Sequence, residues 1–179
     1  SQLLHKRHYR HKPGSRLMTI VVARGKEGVS AYRVPTGELL WKTGGPCKAI
    51  KTSTSSLLAI GADTATSYSV PAFQEAASLH VGEWSEASVS PCLSYVAVVA
   101  KTAVKIFNVA TGRTIFTDTL SSGSGAAVLA PKWLSCGGGG GGVVRFARIG
   151  KSEVVIGSIH CESDLVERLS IPIMDGQPA

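Results

Sequence analysis

Long apolar runs are missing from this chain: stretches such as Leu17 to Ala23 and Tyr95 to Ala100 fall far short of the roughly 20 residues a membrane-spanning helix requires. Cysteine is scarce as well. Cys47, Cys92, Cys136 and Cys161 lie far apart with no C-x-x-C pair, which argues against a zinc ribbon or a dithiol redox motif. They read as small buried hydrophobes, and with nothing resembling a cleavable secretory leader a reducing compartment is expected. Aromatic residues make up only 6% of the chain, yet 44% of it is hydrophobic, enough for a folded, soluble domain with its own core.

Acidic residues are also few, 12 against 19 Lys and Arg, and the resulting net charge of +7 is unevenly placed. Residues 1–16 carry Lys6, Arg7, Arg10, Lys12 and Arg16 with no acid, so only +2 is left for the remainder. Pro13-Gly14 is expected to keep this basic arm out of regular structure. Such an arm attracts polyanions, because neutralising phosphates releases condensed counterions, and Tyr9 adds a ring that can stack on a base. The expected RNA-binding residues are therefore Lys6, Arg7, Tyr9, Arg10, Lys12 and Arg16. A solvated tail and an Arg-rich mitochondrial presequence remnant are the alternative readings of the same stretch.

What the chain does have is a repeat. Four aromatic residues sit in similar β-prone surroundings: Tyr32 in Val-Ser-Ala-Tyr-Arg-Val, Tyr68 in Thr-Ser-Tyr-Ser-Val, Phe107 in Val-Lys-Ile-Phe-Asn-Val and Phe146 in Val-Arg-Phe-Ala-Arg, separated by 36, 39 and 39 residues. Each follows an apolar run, Leu17 to Ala23, Leu57 to Ile60, Tyr95 to Ala100 and Val128 to Leu134, across short turns that force antiparallel hairpins. After the aromatic strand, Val34-Pro35-Thr36-Gly37 and Val109-Ala110-Thr111-Gly112 repeat nearly letter for letter. Gly37 and Gly112 should supply the positive φ of a tight turn. The one candidate helix, Glu162 to Leu169, is short and stopped by Ser170-Ile171-Pro172.

The segment Ser88-Val89-Ser90-Pro91, Tyr95 to Val99 and Val104-Lys105-Ile106-Phe107-Asn108-Val109-Ala110-Thr111-Gly112 resembles a WD repeat with Phe-Asn in place of Trp-Asp. The resemblance implies an all-β, WD40-like β-propeller of about four degenerate blades, part of a larger propeller, with residues 1–16 as the arm and 17–179 as the partial propeller. Because the acid of Trp-Asp is lost in every blade, the buried tetrad of such repeats is not expected, and cohesion between blades should rest on apolar packing. Over residues 19–172 the order of features is similar to the propeller of eukaryotic initiation factor 2A: Val22-Ala23-Arg24-Gly25, Cys47-Lys48-Ala49, Ser90-Pro91, and Lys132-Trp133-Leu134-Ser135. Leu169-Ser170-Ile171-Pro172 then resembles the opening strand of a further blade. This likeness implies a non-catalytic, cytoplasmic scaffold of translation initiation that binds ribosomal RNA or other RNA together with ribosomal or initiation-complex proteins, and influences initiator tRNA or mRNA engagement. The alternatives are a component of another ribosomal or RNA-processing assembly, mitochondrial or nucleolar, and a protein-only adaptor.

Other motifs favour plain readings. His5, His8 and His11 could share a metal, but no Cys or carboxylate lies near them. The tract Gly137 to Gly142 leads into Val143-Val144-Arg145 rather than a helix, so it reads as a flexible hairpin insertion, and Gly150-Lys151-Ser152 as a turn in the place of the Thr-Gly turns. His80, His160, Asp63, Asp118 and Glu83 are scattered, and no catalytic residues, metal, cofactor, membrane or small-molecule substrate is expected. Trp41, Trp84 and Trp133 should pack in cores or between blades. Lys42, Lys48, Lys51, Lys101, Lys105, Arg113 and Lys132 would form a second phosphate footprint only if they shared one face.

Overall fold

The computed structural model describes residues 3–9, 18–25, 27–120, 129–136, 142–150 and 153–173, with residues 3–9, 18 and 136 described by backbone alone. Among these residues there is no helix, and so none long and apolar enough to cross a membrane; sixteen strands form four antiparallel sheets of four. The first sheet holds β1 (Leu3–Tyr9), β2 (Met18–Gly25), β3 (Gly28–Val34) and β4 (Leu39–Gly44), and the second β5 (Ala49–Thr52), β6 (Ser56–Ile60), β7 (Thr64–Ser69) and β8 (Gln74–His80). The third holds β9 (Glu86–Val89), β10 (Tyr95–Val99), β11 (Ala103–Asn108) and β12 (Thr114–Thr119), and the fourth β13 (Lys132–Cys136), β14 (Val143–Ile149), β15 (Glu153–His160) and β16 (Leu165–Pro172). Each sheet is a meander in chain order, the arrangement that short turns between strands enforce.

The chain divides into two compact units, Ser1–Gly82 with Val109–Gly112, and Glu83–Asn108 with Arg113–Ala179. In the first unit, alternate residues of β2 and β3 (Ile20, Val22, Val29, Ala31) meet Ile50, Leu57, Ala59, Val70 and Phe73 of the second sheet. In the second unit, Tyr95, Ala97, Ile106 and Phe116 of the third sheet meet Val144, Phe146, Val155 and Ile159 of the fourth. Strand alternation is what gives each sheet one face for this packing.

A β-bulge recurs immediately before an aromatic residue. The register between third and fourth strands shifts at Ala31/Tyr32, Ser67/Tyr68 and Ile106/Phe107. Beside it, in the outer strand, Trp41 stands opposite Ala31 and Phe116 opposite Ile106. Trp41 reaches Tyr68 edge-on at 4.7 Å and stacks on Phe73 at 5.1 Å, while Phe116 meets Phe146 edge-on at 5.2 Å. The bulge thus aims one outer-strand aromatic of each unit into the neighbouring sheet. Trp133 lies 6.0 Å from Phe146, its cross-strand partner, and packs against the core of the second unit, so Trp41 packs between sheets and Trp133 against a core, as expected.

The third-to-fourth turn repeats as well. Gly37 (φ 72°), Phe73 (φ 54°), Gly112 (φ 68°) and Asp164 (φ 56°) hold the left-handed position in the four sheets. Gly37, Phe73 and Asp164 each donate their N–H to the carbonyl four residues back, of Arg33, Ser69 and His160. Gly37 and Gly112 therefore do what their sequence context requires, and Asp164 fills the same place without being glycine.

Several expectations are corrected. Phe146 is not in phase with the other aromatics: it lies on β14, the second strand of its sheet, where Tyr32, Tyr68 and Phe107 lie on the third. Accordingly Lys132–Cys136 is the first strand of the fourth sheet and not its central one, and Gly150 turns β14 into β15, where the Thr-Gly turns join third to fourth strands. Glu162 to Leu169 is a turn followed by strand: the left-handed Asp164 breaks any helix, and β16 finds its hydrogen bonds on β15 over eight residues. Leu169 to Pro172 is thus the end of an outer strand and opens no new blade. Leu3–Tyr9 differs from the expected irregular arm, since it pairs with β2 over seven residues and completes the first sheet. An open β2 edge is a row of unpaired backbone groups, and pairing satisfies it.

Candidate nucleic-acid interface

Lys6, Arg7 and Tyr9 stand on β1, opposite Val21, Ile20 and Met18, at the edge of the first sheet. Arg10, Lys12 and Arg16 lie outside the described residues, as do His11, Lys151, Ser152 and all of the glycine tract except Gly142. Register therefore brings three of the six expected RNA-binding residues onto one strand. The further cations are divided, Lys42, Lys48 and Lys51 in the first unit and Lys101, Lys105, Arg113 and Lys132 in the second.

The first sheet also carries a groove of about 300 Å³ that sequence reasoning missed, lined by Ala23, Arg24, Gly25, Glu27, Gly28, Ser30, Tyr32 and Lys42. Cross-strand pairing builds it: Ala23, Ser30 and Lys42 form one row, and Val21, Tyr32 and Leu39 the next. Tyr32, expected as a core plug, is only half-buried and presents its ring here. At the hairpin end of the groove Gly25 pairs with Gly28, so neither of these two paired residues contributes a side chain. Gly28 has φ +140°, and a Cβ there would fall on the Thr43 carbonyl, so no side chain fits. Lys42 lies 3.5 Å from Glu27 in an exposed pair, which holds it weakly. A glycine on each side of a two-residue turn was the one signal of this groove in the sequence.

Polar contacts join the third and fourth sheets, against the expectation that apolar packing alone would hold blades together. Asp164 accepts from two paired residues of the third sheet: Asn108 Nδ2 lies 2.9 Å from each carboxylate oxygen, and Tyr95 OH donates at 3.1 Å. Ser88 Oγ accepts from Trp133 Nε1 at 3.0 Å and donates to the Pro131 carbonyl at 2.7 Å. Asp118 and Arg148, both buried, form an ion pair that Arg168 joins at 3.5 Å, and Arg168 also meets Glu153 at 3.0 Å. Buried charges persist only with partners of this kind, and removing one would strand the other. Burial, with the neighbouring Cys161 and Asp164 side chains, pushes the Tyr95 hydroxyl well above its ordinary pKa, and burial also raises the Cys47 thiol. Both shifts have structural causes. Among the described residues no group of three or more His, Cys, Asp or Glu could hold a metal ion.

Four-stranded meander sheets packed face to face, each with a left-handed turn before its outer strand, are blades of a WD40-type β-propeller fold, and comparison with solved structures agrees. The WD40 domain of Toxoplasma gondii coronin aligns with a TM-score of 0.56 at 17% identity, over 86% of this chain and 44% of that one. KlHsv2 with loop 6CD replaced by a Gly-Ser linker aligns with a TM-score of 0.57 at 13% identity, over 85% of this chain and 55% of that one. The chain spans about half the length of these solved structures. No protein-family model and no curated protein sequence matches it.

Proposed function

We propose that this chain is a non-catalytic propeller scaffold of translation initiation, cytoplasmic, which contacts RNA of the small ribosomal subunit through Lys6, Arg7, Tyr9, Arg10, Lys12 and Arg16 and bears on initiator tRNA or mRNA engagement. The observation that carries the RNA reading is charge placement: five of the seven net positive charges fall within residues 1–16, and Lys6 and Arg7 lie on an edge strand. Among the described residues, edge placement leaves one side of β1 free of neighbouring strands, and phosphate contacts from such a strand strengthen binding without choosing a sequence. The initiation role is supported by the likeness of residues 19–172 to the initiation factor 2A propeller. A place in another ribosomal or RNA-processing assembly rests on the same charges.

Co-sedimentation with purified small subunits and titration of labelled RNA across salt test this reading. Replacing Lys6, Arg7, Arg10, Lys12 and Arg16 together by Gln should flatten the slope of log affinity against log salt by several units, at about 0.7 to 0.9 per lost phosphate contact. An unchanged slope removes the RNA reading. Deleting residues 1–16 is the poorer test, because it also removes a strand of the first sheet.

One observation favours the protein-only adaptor. Leu165, Leu169 and Ile171 of β16 and Ile149 of β14 are exposed, and register sets Ile149, Val154 and Ile171 in one row with Ala147, Ile156 and Leu169 in the next. This apolar face lies opposite the one buried against the third sheet, and exposed faces of that kind mark protein contacts. Binding to protein through it would vary little with salt.

A further inference from the structure

The groove on the first sheet combines what single-stranded RNA binding uses: the Tyr32 ring for a base, the Lys42 ammonium for phosphate and the Ser30 hydroxyl between them. We infer that this groove seats one nucleotide of single-stranded RNA, its base against Tyr32 and its phosphate toward Lys42, a site that rests on the RNA reading above and extends it beyond the first strand. Tyr32 and Ser30 are two residues apart on β3 and so share one side of the sheet, and Lys42 pairs directly with Ser30. Ring, hydroxyl and ammonium therefore stand in adjacent cross-strand rows, within reach of one small ligand. The groove's volume of about 300 Å³ lies at the lower end of small-ligand sites, which suits a nucleotide and not a protein segment.

Register links this groove to the basic strand. Lys6 stands opposite Val21, and Val21 opposite Tyr32, so one cross-strand row runs from the basic strand into the groove. An RNA strand held along β1 passes the groove without a detour. Glu27 is the one acid among the lining residues and is spent on Lys42, with both side chains at least half exposed. A phosphate can take Glu27's place on Lys42, because an exposed pair of this kind contributes little. Stacking on a tyrosine tolerates any base, so the site has no sequence preference.

The test is fluorescence anisotropy of the 179-residue chain with a labelled 12-nucleotide oligouridylate and with a duplex RNA of equal length. Tyr32→Ala should weaken oligouridylate binding about tenfold, Tyr32→Phe should bind as the parent does, and neither should alter duplex binding, because a paired base is not free to stack. Lys42→Gln, on an exposed side chain, should lower the oligouridylate salt slope by about 0.7 while leaving the melting temperature unchanged, which guards against a folding defect in Tyr32→Ala. If the parent binds oligouridylate and both Tyr32→Ala and Lys42→Gln bind equally well, the groove is overturned while the basic-strand reading stands. If the parent binds no RNA at moderate salt, both fall. If Tyr32→Ala instead abolishes binding to a purified protein partner with RNA affinity intact, the groove belongs to a protein contact and the inference is overturned.

Discussion

The ring of Phe146 lies directly over Gly157: the two residues are paired across β14 and β15, and a Cβ built on Gly157 would fall on Cζ and Cε1 of that ring. Both are buried, Phe146 completely. A missing side chain on one strand thus makes room for a large one on the next. The fourth sheet owes its aromatic on β14, one strand earlier than in its three predecessors, to this pairing.

Gly157→Ala should therefore destabilise the second unit by about 1–3 kcal/mol, because the added methyl must displace a ring packed between Phe116 and Trp133. Combining it with Phe146→Leu should cost less than the sum of the two single changes. Urea unfolding of the single and double variants measures this coupling. Strict additivity would show that ring and glycine do not compete for space.

Phe107 is 6% exposed on β11, and Phe107→Ala should cost roughly 3–5 kcal/mol by emptying a core site next to the bulge. Tyr32 occupies the matching place in the first sheet but is only partly buried, so Tyr32→Ala should cost clearly less. Equal losses in thermal melts would contradict the difference in burial between these two aromatics.

Asp164 combines a backbone role with a side-chain role, and two substitutions separate them. Asp164→Ala leaves the Asn108 amide and Tyr95 hydroxyl without their shared acceptor and puts alanine in a left-handed conformation, so a loss of about 2–4 kcal/mol is expected. Asp164→Gly loses the same hydrogen bonds but suits the turn, and should be about 1 kcal/mol less damaging. Melting temperatures in the reverse order would mean that the turn contributes nothing.

The Tyr95 hydroxyl makes stability depend on alkaline pH. Burial comes first among the causes that raise its pKa in the folded protein, followed by the Cys161 and Asp164 side chains, while the unfolded side chain titrates near 10. The folded state therefore holds its proton when the unfolded state has released it. The resulting stability is fully present below pH 10 and is lost as pH rises above that value. Denaturant titrations from pH 8 to 11 should show the parent losing stability more steeply than Tyr95→Phe, which costs about 1 kcal/mol at neutral pH for the missing hydrogen bond. Parallel pH slopes would sink this assignment.

The residues themselves determined much of this molecule. Thr36-Gly37 and Thr111-Gly112 specify a left-handed turn wherever they are placed, because glycine alone enters that region without cost, and alternation along Met18–Gly25 and Val143–Ile149 specifies strands with one buried face. The aromatic period through Tyr32, Tyr68 and Phe107 marked a real structural repeat, the bulge that precedes each. Tertiary structure alone decided which strand each apolar run becomes. A period of two is the same for the first, second or third strand of a sheet, so Val128 to Leu134 and Phe146 carried no sign of their order in the fourth sheet until pairing with Glu153–His160 set it. The same holds for Leu3–Tyr9, whose charges advertise a solvated arm but whose backbone is claimed by the open edge of β2. The Asp164 clamp, joining residues 56 and 69 positions apart, and the groove beside Tyr32 likewise arise from side chains that only pairing and packing bring together, and no local pattern encodes such distances.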